Sequence, residues 1–154
     1  MDYDIRETKD EESAISIAKS LPDYFSETGL KDIGQACRNE KLFGAYKDNK
    51  MIGFMTLKEL NPEAIELTWM GVLAEYQGQG TGKMLVERAL KSIGDQYKIC
   101  EVKTLAETVE NKGYEKTRNF WRNAGFITLE VIDPYPGWET GNPCVIMVKP
   151  LKVK

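Results

Sequence analysis

The chain has 154 residues, of which 42% are hydrophobic and 29% charged, which is typical of one globular domain with its own core. No stretch approaches the roughly 18 consecutive apolar residues of a membrane span, and no secretory leader follows Met1, so we expect neither a membrane protein nor a secreted one. The net charge of −3 disfavours nucleic acid as the main partner.

The cysteine and histidine content limits the chemistry. Cys37, Cys100 and Cys144 lie far apart in the sequence, and an odd number of cysteines without a leader predicts reduced thiols in a cytoplasmic protein. The chain has no histidine and no Cys-x-x-Cys pair, so no metal site is expected. Acid–base chemistry then depends on carboxylates, tyrosine, cysteine or water.

Two helices are predicted after a short first strand at 4–7. Thr8 and Glu11 form a capping-box pattern, which predicts that the first helix begins after Thr8, and Pro22 ends it. Thr28 is the expected N-cap of the second helix, because apolar residues follow it at helical spacing.

Three strands are predicted in the middle of the chain. Residues 42–46 and 51–57 flank the polar turn 47–50, which indicates a β-hairpin. A turn at Asn61 leads into a third strand over 64–73.

The remaining elements alternate between helix and strand. They are a helix over 80–93, a strand over 99–105, a helix over 114–124 that Gly125 ends, and strands over 126–132 and 145–148. The order is β-α-α-β-β-β-α-β-α-β-β, which predicts an α/β (α+β) domain over residues 1–154. Its mixed sheet would carry helices on both faces.

The most informative segment is a glycine-rich loop before the helix at 80–93. Gly78, Gly80 and Gly82 lie at every second position, after a strand and before an amphipathic pattern. The first N–H groups of a helix have no partner within it, and glycine lets an anion approach the backbone. The segment therefore predicts a phosphate site. A glycine-rich turn without a ligand is the plain alternative.

Two well-known glycine motifs do not match this loop. The P-loop requires a hydroxyl residue where Met84 stands. The dinucleotide motif requires glycine or alanine where Lys83 or Leu85 stands, depending on the starting glycine. A nucleotide-binding enzyme of either class is therefore disfavoured.

The pattern that fits is Gln-x-x-Gly-x-Gly, formed by Gln77, Gly80 and Gly82. It resembles the pyrophosphate-binding motif of the GNAT family of acetyl-CoA-dependent N-acetyltransferases. Residues 66–76 resemble the strand and turn before that motif, and residues 114–126 resemble the family's second signature, a helix with paired aromatics that ends in Gly-Phe. The resemblance covers roughly residues 40–150 and implies a GNAT-like, mostly antiparallel central sheet.

The resemblance implies acetyl-CoA as co-substrate and assigns residues to it. The loop residues that would bind its pyrophosphate are Gln77, Gly78, Gln79, Gly80, Thr81 and Gly82. The backbone of Met70, Gly71 and Val72 would pair with the pantetheine arm, and one N–H there would stabilise the tetrahedral oxyanion. Tyr114 and Trp121 would face the coenzyme from the second signature.

Glu66 is the candidate general base. In the family an acidic residue on this strand often deprotonates the amine, commonly through water. Regular strand alternation would place Glu66 on one face with Thr68, Met70 and Val72. An exposed glutamate without a role is the alternative.

The general acid is the main departure from the family pattern. Many members have a tyrosine four positions before the glycine of Gly-Phe, where this chain has Trp121, whose N–H is not an acid. Tyr114, seven residues earlier, is the candidate substitute. Alternatively the thiolate leaves without help, and Trp121 packs against Phe120 in the core.

These features together indicate an N-acetyltransferase that moves acetyl from acetyl-CoA to a primary amine of a small molecule or peptide in a ternary complex. Tyr135, Trp138 and Glu139 form either a wall of the amine pocket or a rigid Pro-Gly turn. A non-catalytic acyl-CoA-binding sensor is the alternative function. The identity of the amine and the presence of a homodimer are left open.

Overall fold

The computed structural model describes residues 3–105, 112–138 and 143–151 of the chain. Within them, seven strands form one sheet and four α-helices pack against it. The strands are β1 (Asp4–Thr8), β2 (Lys41–Lys47), β3 (Lys50–Asn61), β4 (Ala64–Val72), β5 (Ile99–Leu105), β6 (Ile127–Ile132) and β7 (Cys144–Pro150). The helices are α1 (Glu11–Lys19), α2 (Glu27–Asn39), α3 (Thr81–Ile93) and α4 (Lys112–Asn123), with a short 3₁₀ helix at Ala74–Tyr76.

The sheet has the strand order β1-β2-β3-β4-β5-β7-β6. Neighbouring strands are antiparallel except β4 and β5, which run parallel and pair only over residues 64–66 and 99–101. Beyond these residues β4 and β5 no longer pair, which opens a gap in the middle of the sheet. The predicted element order and the mixed, mostly antiparallel sheet are confirmed.

Helices cover both faces of the sheet and enclose two apolar cores. In the α1/α2 core, Ile17 and Ile33 pack with Phe54 of β3. In the α3/α4 core, Leu85 and Trp121 pack against the opposite face. Burying one side chain of this size contributes about 1.5–3 kcal/mol, so the two cores fix both pairs of helices on the sheet.

The predicted hairpin is confirmed. Asp48 and Asn49 form its turn, with φ values of 51° and 63°. Two central residues with positive φ match the right-handed twist of the flanking strands, and Asn and Asp tolerate this conformation best among side-chain residues.

The predicted cap of α1 is wrong by two residues. Asp10 is the N-cap, and its side chain accepts from the backbone N–H of Ser13 at 3.2 Å. Thr8 instead ends β1, where it is paired with Leu42 of β2, and its hydroxyl accepts from the Tyr46 hydroxyl at 3.0 Å. A residue held in the sheet keeps an extended backbone, so the helix begins later than the capping-box pattern indicates.

The predicted cap of α2 is also wrong. Ser26 is the N-cap and accepts from the backbone N–H of Gly29 at 3.1 Å, whereas Thr28 lies within the first turn. Both are good capping residues, and the sequence does not show which of them leaves the helical conformation.

The regular alternation of β4 breaks at Thr68. β3 pairs Leu57 with Leu67 and Thr56 with Trp69, which leaves Thr68 as an extra residue in a β-bulge. The hydroxyls of Thr68 and Thr56 are hydrogen-bonded at 2.7 Å.

The bulge shifts the side chains beyond it. Leu67 packs into the α3/α4 core, Trp69 packs into the α1/α2 core, and Met70 packs against the α3/α4 core again. Glu66 alternates with Leu67 and therefore lies on the face of Trp69. The predicted grouping of Glu66 with Met70 and Val72 is wrong, because alternation does not continue through an extra residue.

The three cysteines are free and buried. Across the described ranges, no helix combines the length and the apolar character needed to cross a membrane.

Candidate active site

A cavity of about 1130 Å³ occupies the gap between β4 and β5. The predicted site residues that line it are Glu66, Met70, Gly71, Val72, Gln77, Gly78, Gly82 and Trp121. Gln79, Gly80 and Thr81 lie beside it without lining it. The structure thus brings the candidate base, the strand segment and part of the glycine loop to one space.

The start of α3 presents free backbone donors. Gly80 is its N-cap, with φ of 83° and no side-chain capping bond. The first helical bond runs from the N–H of Met84 to the carbonyl of Gly80 at 3.0 Å. The N–H groups of Thr81, Gly82 and Lys83 precede it and have no partner within the helix, which makes this end suitable for an anion.

The loop glycines have different structural reasons. Gly78 and Gly80 have φ values of 74° and 83°, and a Cβ on either would meet nothing within 4 Å. A Cβ on Gly82 would lie 2.9 Å from Met70 Cε and 3.1 Å from Phe120 Cε1. The first two glycines therefore form an open, left-handed turn, whereas Gly82 allows close packing.

The other loop side chains stabilise the loop itself. Gln77 Nε2 donates to the carbonyl of Val72 at 2.8 Å, and Gln79 Nε2 donates to the carbonyl four residues before it at 2.9 Å. The Thr81 side chain is buried, and its hydroxyl donates to the Tyr3 hydroxyl at 3.3 Å. Any contact of Thr81 with an anion must therefore come from its backbone.

The edge of β4 that faces the gap, beyond its pairing with β5, carries free backbone groups. The N–H of Leu73 donates to the carbonyl of Ile52 on β3 at 2.9 Å. Backbone direction alternates along a strand, so the N–H groups of Met70 and Val72 point away from β3 and into the gap. These two residues can pair with an extended ligand.

Gly71 has a different role from its two neighbours. By the same alternation its N–H points towards β3, and a Cβ on Gly71 would lie only 2.8 Å from Phe54 Cε1. Its lack of a side chain makes room for a core ring, and its backbone faces away from the gap.

Glu66 forms a partly buried ion pair that the sequence did not predict. Lys103 Nζ donates to Glu66 Oε1 at 3.2 Å, and the two side chains are 26% and 12% exposed. Burial opposes the charge of Lys103, but hydrogen bonding with Tyr135 and the charges of Glu66 and Glu101 raise the pKa of Lys103 above its usual range. Lys103 is therefore a fixed positive charge beside the candidate base.

Thr104 is a second residue that the sequence did not predict. It lines the cavity and is only 4% exposed, and its hydroxyl has no hydrogen-bond partner in the described part of the chain. An unsatisfied buried hydroxyl costs about 1–3 kcal/mol, so this atom is suited to a polar group of a bound ligand.

The second signature packs mainly as core. Trp121 is 7% exposed and makes edge-to-face contacts with Phe120 and Phe126, at centroid distances of 4.9 and 5.3 Å. Tyr114 belongs to α4, but its side chain lies outside the described residues. The acid role of Tyr114 stays a prediction.

Two residues of the loop after β6 line the cavity. Tyr135 and Trp138 contact each other with ring centroids 5.2 Å apart, and Tyr135 also faces Lys103. Glu139 lies outside the described residues.

Two further residues, Lys83 and Cys144, have plain structural explanations. Lys83 lies on the surface of α3, with Nζ 4.0 Å from Glu87 Oε1. Cys144 is buried, and burial raises the pKa of its thiol to about 11, which leaves no thiolate nucleophile at neutral pH. In the part of the chain that the structure describes, no group of acidic, cysteine or histidine side chains could hold a metal ion.

Comparison with known proteins agrees with this architecture. The model of the Acetyltransferase (GNAT) domain matches residues 38–128, more than half of the chain. No curated protein matches the chain. The protein therefore belongs to the GNAT family of acetyltransferases.

Solved structures show the same fold at low sequence identity. A protein assigned to the GNAT family from Desulfovibrio desulfuricans has a TM-score of 0.85 and 16% identity, over 98% of this chain and 100% of that one. A GNAT-family acetyltransferase from Elizabethkingia anophelis with acetyl-CoA bound has a TM-score of 0.73 and 18% identity, over 97% of this chain and 98% of that one. The aminoglycoside 6′-N-acetyltransferase from Enterococcus faecium has a TM-score of 0.75 and 14% identity, over 98% of both chains.

Proposed function

We propose that residues 1–154 act as one N-acetyltransferase domain that moves acetyl from acetyl-CoA to a primary amine in a ternary complex. One observation carries the proposal. A single cavity is lined by Gly82 in the first turn of α3, by the edge of β4 that faces the gap, and by Glu66. The acetyl-CoA bound to the E. anophelis structure and the N-acetyltransferase activity of the E. faecium enzyme support it.

The coenzyme would enter from the α3/α4 side. Its pyrophosphate would accept hydrogen bonds from the N–H groups of Thr81, Gly82 and Lys83, where the helix dipole favours negative charge. Its pantetheine arm would pair with Met70 and Val72 along the edge that β5 leaves free. Thr104 faces the same cavity and would donate to a polar group of that arm.

The amine would enter from the opposite face, where Glu66 lies. The amine nitrogen bonds to the acetyl carbon, and the N–H group of Val72 stabilises the tetrahedral oxyanion. The C–S bond then breaks with its electron pair on sulfur. Glu66, directly or through water, takes the proton that the nitrogen loses. Because the gap joins both sheet faces, Glu66 reaches the reacting atoms although Met70 and Val72 face the other way.

The departing thiolate takes its proton from Tyr114 or from solvent. Trp121 stands at the usual tyrosine position and packs in the core, which supports a reaction without a dedicated acid there. A coenzyme thiol has a pKa near that of cysteine, about 8.5, so it leaves tolerably well as an anion.

The direct test is release of free coenzyme A thiol from acetyl-CoA in the presence of primary amines. Calorimetric titration of coenzyme A with and without ATP as competitor checks the binding site separately. The proposal predicts binding of coenzyme A without competition by ATP, and thiol release that depends on the amine. Binding without release for any amine would instead favour the non-catalytic acyl-CoA sensor, which the core position of Trp121 also supports.

A homodimer is also part of the proposal. On the edge strand β6, which pairs with β7 around a bulge at Leu129, the side chains of Ile127, Leu129 and Val131 are exposed by 61%, 61% and 53%. Exposed apolar residues on an edge strand suit a second copy of the chain. Light scattering should give a dimeric mass that Leu129→Lys lowers to a monomeric one. A monomeric unmodified protein would refute self-association.

A further inference from the structure

The α1/α2 side of the cavity contains two opposite charges in contact. Lys103 and Glu66 lie on neighbouring strands, just where β4 and β5 separate, and their charged atoms are 3.2 Å apart. Both side chains are largely buried, so water screens them little. An ammonium beside a carboxylate offers one partner each to the carboxylate and the amine of a single ligand.

The distribution of charge favours such a ligand over a polycation. In the described part of the cavity wall, the charged side chains are Glu66, Lys103 and Lys116, which are two cations and one anion. Glu101 shares the sheet face of Glu66 and Lys103, but burial, followed by the charge of Glu66, raises its carboxyl pKa, and it does not line the cavity. The described residues of this wall lack the excess of carboxylates that a polyamine or an aminoglycoside needs.

Two pairs of aromatic rings line the same cavity as the charged pair. Phe25 and Trp69 have centroids 6.2 Å apart, and Tyr135 and Trp138 have centroids 5.2 Å apart. Lys103 Nζ is 5.4 Å from the centroid of the Tyr135 ring. The charges therefore lie among apolar surfaces that would bind an uncharged ligand body.

We propose that the acceptor is a free α-amino acid with an apolar or aromatic side chain. This inference rests on the proposed acetyl transfer. The amine lies at Glu66, the carboxylate binds Lys103, and the side chain packs between the two ring pairs. In an α-amino acid one carbon bears both groups, so their partners must be adjacent, as Glu66 and Lys103 are. The bonds formed and broken are those of the proposed reaction.

The test compares acceptors that differ only at the carboxylate. L-phenylalanine, L-phenylalaninamide and phenethylamine are offered with acetyl-CoA, and thiol release gives kcat/KM for each. L-leucine and L-methionine with their amides provide other side chains, and spermidine and kanamycin represent polycations. For at least one amino acid, kcat/KM should exceed that of its amide by about 10–100-fold, the scale of one charge-assisted hydrogen bond.

Variants at the two lining lysines test the role of Lys103. Lys103→Met should bring the ratio of kcat/KM for an amino acid to kcat/KM for its amide close to one, mainly by raising KM for the amino acid. Lys103→Arg should restore part of it. Lys116→Met removes the second lysine that lines the described part of the cavity and should keep the ratio within about threefold, since about 0.6 kcal/mol corresponds to that factor. Thermal melting by circular dichroism checks that each variant folds.

The outcomes separate this inference from the proposed function. Amides, phenethylamine or polycations that react as fast as the amino acids overturn the amino-acid assignment and leave acetyl transfer intact. An unchanged ratio in a folded Lys103→Met protein overturns the role of Lys103. No thiol release with any of these amines overturns both proposals.

Discussion

The two ends of the cavity consist of different chemical groups. We call the end at α3, where coenzyme A would bind, the donor end, and the end at Glu66 and Lys103, where the amine would bind, the acceptor end. At the donor end the groups are backbone N–H donors at the start of α3 and along β4, and Gly78 and Gly80 keep their surroundings open. At the acceptor end they are side chains from β4, β5 and the loop after β6, with Glu66, Lys103 and Trp138 among them.

This difference explains why the donor end has a motif in the sequence and the acceptor end has none. A backbone site needs a local run of glycines before a helix, and such a run is visible as a motif. A side-chain site needs elements that are distant in the sequence to meet, and its residues carry no local pattern. The donor end is therefore suited to a shared co-substrate, and the acceptor end can change with the amine.

The largest effect should come from blocking the donor end. Gly80→Glu adds a negative charge and a side chain where the pyrophosphate would bind, so calorimetry should detect no coenzyme A binding. Gly80→Ala is the matched control, because it imposes a similar left-handed strain, about 1–2 kcal/mol, without the charge. Unchanged affinity in Gly80→Glu would show that the coenzyme binds elsewhere.

Removing the carboxylate at the acceptor end should reduce turnover but not coenzyme binding. Glu66→Gln should lower kcat/KM by about 10²–10⁴, the scale of general base catalysis. The loss should be greatest at low pH, where the amine is protonated, and should shrink as the pH approaches the amine's own pKa. Glu101→Gln makes the same charge change outside the cavity lining and is the control. A full rate with an unchanged pH profile would exclude Glu66 as the base.

The hydroxyl of Thr104 should affect both coenzyme A binding and the stability of the coenzyme-free protein. Thr104→Val removes an unsatisfied buried hydroxyl, so it should stabilise the coenzyme-free protein by about 1 kcal/mol in urea unfolding and weaken coenzyme A binding about tenfold. Thr56→Val removes a hydroxyl that is hydrogen-bonded to Thr68 and should destabilise the protein instead. If both variants change stability in the same direction, the ligand role of Thr104 loses its support.

Tyr114 should have a smaller effect. Tyr114→Phe should change turnover only a few-fold and keep the high-pH limb of the rate profile, because the tyrosine lies nearly two helical turns from the usual acid position. A loss of turnover above about 100-fold, together with loss of the high-pH limb, would identify Tyr114 as the proton donor.

The smallest effect should come from the thiols. Burial, the largest cause at each site, raises the pKa of Cys37, Cys100 and Cys144 to about 11, 12 and 11. At neutral pH all three stay protonated, so a thiol reagent should not label the native protein and Cys144→Ala should keep full turnover. Labelling of native Cys144 with loss of activity would indicate a nucleophilic role for this thiol.

The sequence predicts the fold and the glycine turn at the start of α3 well, for definite reasons. Strand and helix periodicity specify the element order, and the loop from Gln77 to Gly82 specifies a helix N-terminus. Helix starts at Asp10 and Ser26 could not be predicted, because each has a second good capping residue nearby. Sheet pairing of Thr8 decides the first start, and the side chain of Ser26 caps the second.

The acceptor end could not be predicted in the same way. The bulge at Thr68 moves Glu66 to the face opposite Met70, and bulges have no fixed local signature. Lys103 meets Glu66 only through the register of two parallel strands, which lie on different segments of the chain. These features depend on tertiary pairing rather than on local spacing.

Thiol release after mixing the acetyl-CoA-loaded protein with primary amines, combined with mass spectrometry of protein and product, measures acetyl transfer directly. Direct transfer in a ternary complex predicts multiple turnovers that require the amine, an N-acetylated product, no acetylated protein intermediate, and loss of release in Gly80→Glu. Tight coenzyme A binding with no release for any amine, or equal release in Gly80→Glu, would contradict it.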